Sequence, residues 1–104
     1  METVVSGFDW DEGNRAKCQK HGVSIPEIEA LFAGELAVFP ALSRSWHEER
    51  LKAIGKTRAG RHVFVVFTLR KRSTGVLIRP ISARYMHKQE VDHYEKEVAK
   101  AEKR

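Results

Sequence analysis

The stretch LKAIGKTRAGRHVFVVFTLRKRSTGVLIRPIS, residues 51–82, decides the fold. Over Arg50–Lys56, Leu51 and Ala53 alternate with Lys52 and Ile54, which reads as a half-buried strand. Thr57-Arg58-Ala59-Gly60 is a hairpin turn. His62–Leu69 is continuously apolar, β-branched and aromatic, as a central strand covered on both faces would be. Lys71–Gly75 turns the chain again and Val76–Ser82 is the next strand. Pro80 lacks a ladder donor, so it demands an edge position or a bulge.

Working outward, Leu36–Phe39 reads as a strand stopped by Pro40, and Ala41–Glu48 as a loop. Before it lie two short helices. Asp11 caps the first, with Lys17 and Lys20 late in it and Gly22 as its stop. Its inward stripe would be Trp10, Asn14, Cys18 and His21. Ser24 and Glu27 form a capping box with Pro26 in the first turn, and Ile25, Ile28, Leu31 and Phe32 follow at helical spacing until Gly34. Phe8–Trp10 is a short apolar start, a candidate edge strand. A last helix spans about His87–Lys103, with Val91, Tyr94, Val98 and Ala101 as its apolar stripe. The expected class is α+β: two N-terminal helices, an antiparallel β-sheet meander and a C-terminal helix, with the helices segregated against the sheet.

A chain of 104 residues makes one domain over residues 1–104. Its longest apolar run, Val63–Phe67, is far short of the roughly 20 residues a membrane helix needs. The start, METVVSGFDWDEGN, has acidic residues and no apolar core, unlike a secretory signal. The cytoplasm is therefore the expected compartment. One cysteine excludes an internal disulfide and a multi-cysteine zinc site. Residues 1–49 hold four Lys/Arg against nine Asp/Glu, a net of −5, whereas residues 50–104 hold fifteen against five, a net of +10. Between Arg50 and Arg72 there are eight cations and no carboxylate. Such a field favours a polyanion on one side of the molecule, nucleic acid above all, with a solvated basic surface as the bland alternative.

No Gly-rich phosphate loop and no serine elbow is present, and none of the five histidines makes a close i, i+4 metal pair, so neither metal nor cofactor is expected. Cys18 reads as a small core residue rather than an activated thiol. What remains is a basic strand set with histidines and one acidic step: WHEER, then Arg61, His62, Arg70, Arg79 and Arg84. Cleaving RNA without metal needs a base for the 2′-OH proton, a cation for the pentavalent phosphate and an acid for the 5′-oxygen. His and Glu suit the proton work and the forked guanidinium suits phosphate. Composition alone does not choose between cleaving RNA and binding it.

The segments FDWDEGNRAKCQKHGVS, EIEALF, EER…IG, FVVFTLR and IRPISAR, with a Glu and a Tyr in the last helix, resemble the BrnT family of toxins, in order from Phe8 to about Tyr94. The resemblance implies a ribonuclease toxin of a type II toxin–antitoxin module that blocks translation and growth, with a fold similar to RelE-type toxins. It also implies a BrnA-like antitoxin as partner and operator DNA reached only through the toxin–antitoxin complex. Matching positions are Trp10, Asn14, Lys20, His21, Gly22, Glu49, Arg50, Ile54, Gly55, Thr68, Arg70, Arg79, Ser82, Ala83, Arg84, Glu90 and Tyr94. Two positions depart from the pattern. Pro80 replaces an aliphatic strand residue, and His87 replaces a Thr that opens the last helix, where His caps more weakly.

On this reading Arg50, Arg79 and Arg84 hold and stabilise phosphate, and His21, His47 or Glu49 handle protons. Lys20, Arg61, Arg70, Lys71 and Arg72 would bind RNA. Each has a plainer alternative. His21 could merely meet the last carbonyls of its helix, and Glu49–Arg50 could be a surface ion pair worth under about 1 kcal/mol. Arg79, a cation inside an apolar strand, must either pair or line a cleft. The rival functions are a non-catalytic nucleic-acid-binding module and a subunit whose basic face serves only an antitoxin.

Overall fold

In a computed structural model, which describes residues 5–41 and 49–102, the chain runs β1 (Val5–Phe8), α1 (Glu12–Gln19), α2 (Ile25–Ala33), β2 (Leu36–Pro40), β3 (Leu51–Lys56), β4 (His62–Arg72), β5 (Gly75–Tyr85) and α3 (Lys88–Glu102). The strands form one sheet in the order β1-β5-β4-β3-β2. The class is α+β as expected, but the sheet is mixed: β2 to β5 are antiparallel neighbours, while β1 pairs parallel with β5. This corrects the all-antiparallel expectation. The first strand also lies earlier than Phe8–Trp10, because the chain leaves the sheet at Asp9, whose N–H donates to the Ile78 carbonyl at 2.8 Å.

Both N-terminal helices start on reciprocal caps. Asp11 accepts from the Asn14 N–H and Asn14 Oδ1 accepts from the Asp11 N–H; Ser24 and Glu27 do the same for α2. The hairpin at Thr57–Gly60 closes with Gly60 N–H donating to the Thr57 carbonyl, Gly60 taking φ +83°. β4 and β5 are longer than their apolar segments suggest. They pair from Val63↔Tyr85 out to Arg72↔Gly75, because the ladder continues through the cationic positions Arg70, Lys71 and Arg72.

Alternation along β4 sorts the sheet into two faces. Val63, Val65 and Phe67 point toward α1 and α2 and join Cys18, Val23, Ile28, Leu31, Ala53, Ile78 and Ala83 in the core. Burying each large member fully stabilises the fold by roughly 1.5–3 kcal/mol. Helix α2 comes so close to β3 that a Cβ on Gly55 would stand 2.9 Å from Leu31 Cδ2. Cys18 is a core residue as expected, and burial pushes its thiol up to about 11.

Phe64, Val66, Thr68 and Arg70 point the other way. The expectation that β4 is covered on both faces is corrected here: Phe64 and Val66 are only half-buried. Helix α3 does not join α1 and α2. It meets the opposite face at one end, where the Tyr94 ring stands edge-on to His62 at 5.9 Å. Val91, Tyr94 and Val98 of its stripe are half-buried and Ala101 is exposed. His21, expected on the inward stripe of α1, is exposed beyond that helix's end.

Pro80 falls at a bulge. Val66 pairs with Ser82 and Phe67 with Pro80, leaving Ile81 as the extra residue. It also lies past Phe8↔Ile78, the last β1 pairing, so α1 rather than a strand borders β5 there. The buried Asn14 side chain joins the two. Its Nδ2 donates to the Pro80 and Asp9 carbonyls, both at 2.9 Å, while its Oδ1 accepts from Asp11. Replacing Asn14 with Ala leaves these groups without partners and is expected to cost about 2–4 kcal/mol. Asn14→Asp, which turns a carboxylate on two carbonyls, should cost at least as much at neutral pH. Urea unfolding midpoints check both.

Candidate functional site

Three strands or their ends bring one arginine each to the sheet face opposite Val63, Val65 and Phe67, beside the start of α1. Arg50 immediately precedes β3, Arg70 lies on β4 and Arg79 on β5, with Thr68 paired to Arg79 and Leu51 to Phe67. Together with Lys17, Asp11, Glu12 and the bulged Ile81 they line a cleft of roughly 850 Å³. Thr68, paired to Arg79 across the sheet, is buried. Its hydroxyl donates to the Glu49 carbonyl at 2.8 Å and so anchors the backbone just before Arg50. Arg50 Nε is buried and has no hydrogen-bond partner among the described residues.

Arg79 resolves the choice posed by its sequence position by doing both things: it pairs and it lines the cleft. Its Nη2 donates to Asp11 Oδ2 at 2.7 Å and its Nη1 lies 3.5 Å from Asp9 Oδ2. The bond to Asp11 raises the Arg79 pKa above its ordinary value. Asp11 is held below the usual carboxylate range by the Asn14 N–H first and by Arg79 second. Asp9 is shared with Arg72, 3.6 Å away. Arg72 and Lys71, both exposed, extend the cationic edge beyond Arg70.

The other sequence-derived candidates lie elsewhere. Arg84 is five residues along β5 from Arg79, about 15 Å at strand rise. It makes a bidentate pair with Glu90 at 2.7 and 2.8 Å, and its guanidinium stands 5.1 Å from the Phe64 ring centre. Glu90 also accepts from the His87 N–H at 2.9 Å, so the glutamate supplies the cap that a histidine provides weakly. These bonds, Arg84 first, hold the Glu90 carboxyl down at about 2. Lys20 and His21 are exposed at the corner between α1 and α2, where Gly22 approaches the Tyr85 ring. Arg61 stacks on that ring at 3.6 Å, and the Tyr85 hydroxyl donates to Glu27. Glu49 is exposed beside Arg50, and His47 lies outside the described residues.

Sequence reasoning missed Lys17 and Glu12 as lining groups and read Asp11 only as a cap. The available signal was Arg79 itself, since a cation in an apolar strand calls for a carboxylate and the acidic half of the chain holds most of them. Among the described residues no three His, Cys, Asp or Glu side chains gather as a metal site. No helix among them is long and apolar enough to cross a membrane. The cleft can bind an anion through several guanidinium donors held at fixed spacing.

A family model described as the ribonuclease toxin, BrnT, of a type II toxin–antitoxin system matches residues 10–90. That span contains the cleft and the Arg84–Glu90 pair. No curated protein matches the chain.

The Arg84–Glu90 pair gives a pH dependence with a definite sign. A carboxyl whose folded pKa is depressed stabilises the fold above its unfolded pKa of about 4.5, and that contribution is lost as pH falls toward about 2. Carboxyl NMR titration should place the Glu90 midpoint near 2 in the wild type. In Arg84→Gln it should return toward the ordinary glutamate range.

Proposed function

The chain belongs to the BrnT ribonuclease toxin family, and on that premise we propose that the Arg50–Arg70–Arg79 cleft is where RNA is held and cut, without a metal ion. Membership carries with it a ribonuclease activity, an RNA substrate and an antitoxin protein partner. The observation that supports the cleft as the site is the convergence of three arginines from three strands, with Lys17 beside them and Thr68 anchoring the backbone at Arg50.

In the proposed reaction a base removes the 2′-OH proton, the O2′–P bond forms, and the P–O5′ bond breaks as an acid protonates the leaving oxygen. Arg50 and Arg70 neutralise the charge that grows on the phosphoryl oxygens. Arg79, held by Asp9 and Asp11, supplies a cation already fixed in place, so little ordering is left to do when the phosphate arrives. Glu49 and His47 precede Arg50 in the chain and are the residues best suited to the proton steps. His21, at the far corner of α1, is less suited. Arg84, bound by Glu90, shapes the sheet's other end.

The biological reading is growth arrest through loss of translated RNA, reversed by a BrnA-like antitoxin that reaches operator DNA as part of the complex. The basic half of the chain, net +10 over residues 50–104, would draw RNA and an acidic antitoxin segment to the same face.

Purified protein incubated with RNA and EDTA should cleave it. Arg50→Ala and Arg70→Ala should each lower the rate by about 100-fold or more with unfolding midpoints near wild type. Unchanged rates would remove the cleft from the mechanism, and RNA bound but uncut by the wild type would favour a binding module. Expression alone should arrest growth, and co-expression of the antitoxin should restore it.

A further inference from the structure

Between the cleft and α3 this face carries its own pattern. Phe64 lies at its centre, half-buried, with Ile54 and Arg84 as its direct cross-strand neighbours. Lys52 Nζ stands 6.0 Å from the ring centre and the Arg84 guanidinium 5.1 Å. A groove of roughly 530 Å³ opens beside the ring, its walls Phe39, Ile54, Met86 and Tyr94, with Lys52, Gln89, His93, Glu90 and Glu97 also among its lining. Its largely apolar walls suit a flat ring. The cleft at the other end, with its guanidinium groups, suits phosphates and not a ring. Lys52, with no ion pair among the described residues, lies toward the middle of this face, opposite Val66.

We propose that this face is a track for single-stranded RNA, in which one base stacks on Phe64 while the adjoining backbone crosses Lys52 to the Arg50–Arg70–Arg79 cleft. The inference rests on the reading of that cleft as the RNA site and adds the strandedness of the substrate. Every base has a π-face, so aromatic stacking beside cations holds single strands with little regard to sequence. A duplex hides its base faces and meets the protein through backbone and groove edges alone. The Arg84–Glu90 pair then has a positional role. It fixes the guanidinium over the ring.

The test is fluorescence anisotropy with an uncleavable 2′-O-methyl RNA octamer, alone and annealed to its complement, across a range of salt. The single strand should bind at least about tenfold more tightly than the duplex, as expected when a stacked base is worth roughly that much. Phe64→Leu, which keeps an apolar filler without a ring, should lower single-strand affinity about tenfold with the salt slope unchanged. Phe64→Tyr should bind as wild type. Lys52→Gln should flatten the salt slope by about one unit. Equal binding of duplex and single strand would overturn the proposal, as would wild-type affinity in Phe64→Leu. Phe64→Leu that binds RNA normally but no longer captures the antitoxin would assign the face to the protein partner instead. Arg50→Ala reads the cleft separately. If it leaves binding unchanged while Phe64→Leu weakens it, the cleft reading falls and the connected track falls with it; if only Phe64→Leu is silent, the cleft reading stands and the track alone is wrong.

Discussion

Arg79 places a positive charge within a sheet, and the N-terminal part of the chain is arranged around neutralising it. Asp11 takes the short bond and Asp9 the longer contact. Asp11 can do so because Asn14 fixes it as a helix cap, and Asn14 in turn holds the Pro80 carbonyl next to Arg79. These contacts close a ring through the start of α1 and the bulge of β5. Breaking one member exposes the others, since each polar group in the ring satisfies its neighbour. The pair itself is partly exposed, Arg79 at 21% and Asp11 at 52%, so its direct worth to stability is modest. Its main effect is positional.

Besides Arg79, the cleft is lined by Arg50 and Arg70, and the Arg50 Nε is buried without a hydrogen-bond partner among the described residues. Helix α1 reaches the same cleft, where Glu12 and Lys17 stand among its lining. The far end of β5 shows the contrast. Arg84 has the same side chain on the same face, yet Glu90 meets both of its terminal nitrogens, and the pair serves to start α3. Two arginines five residues apart on one strand thus meet different carboxylates, Asp9 and Asp11 before α1 and Glu90 in α3.

Much of this was legible in residues alone. The Ser24–Glu27 cap, the Asp11 cap, the Thr57–Gly60 turn, the order of the antiparallel strands and the bulge demanded by Pro80 all follow from local rules that need no distant partner. The membership of Cys18 in the core was equally readable. What was not legible depends on contacts between remote segments. The parallel pairing of β1 with β5 joins the two ends of the chain, and no periodicity announces it. The placement of α3 on the opposite face leaves its apolar stripe unchanged in sequence. Arg84 was chosen for its place at the strand-to-helix corner, and nothing local announces that Glu90, one turn into α3, reaches back to pair with it. For the site, Arg50, Arg70 and Arg79 were named singly, but only the register of three strands brings them to one cleft.

The central claim is that RNA sits among those three arginines rather than at the other basic corner, where Arg61 stacks on Tyr85 and Lys20 and His21 are exposed next to Gly22. Side-chain Nε–Hε spectra of arginine, recorded while an uncleavable RNA oligonucleotide is added, separate the two directly. The account predicts that the signals of Arg50, Arg70 and Arg79 move together and saturate at one concentration while Arg61 stays in place. Shifts concentrated at Arg61, with the cleft arginines unmoved, would contradict it.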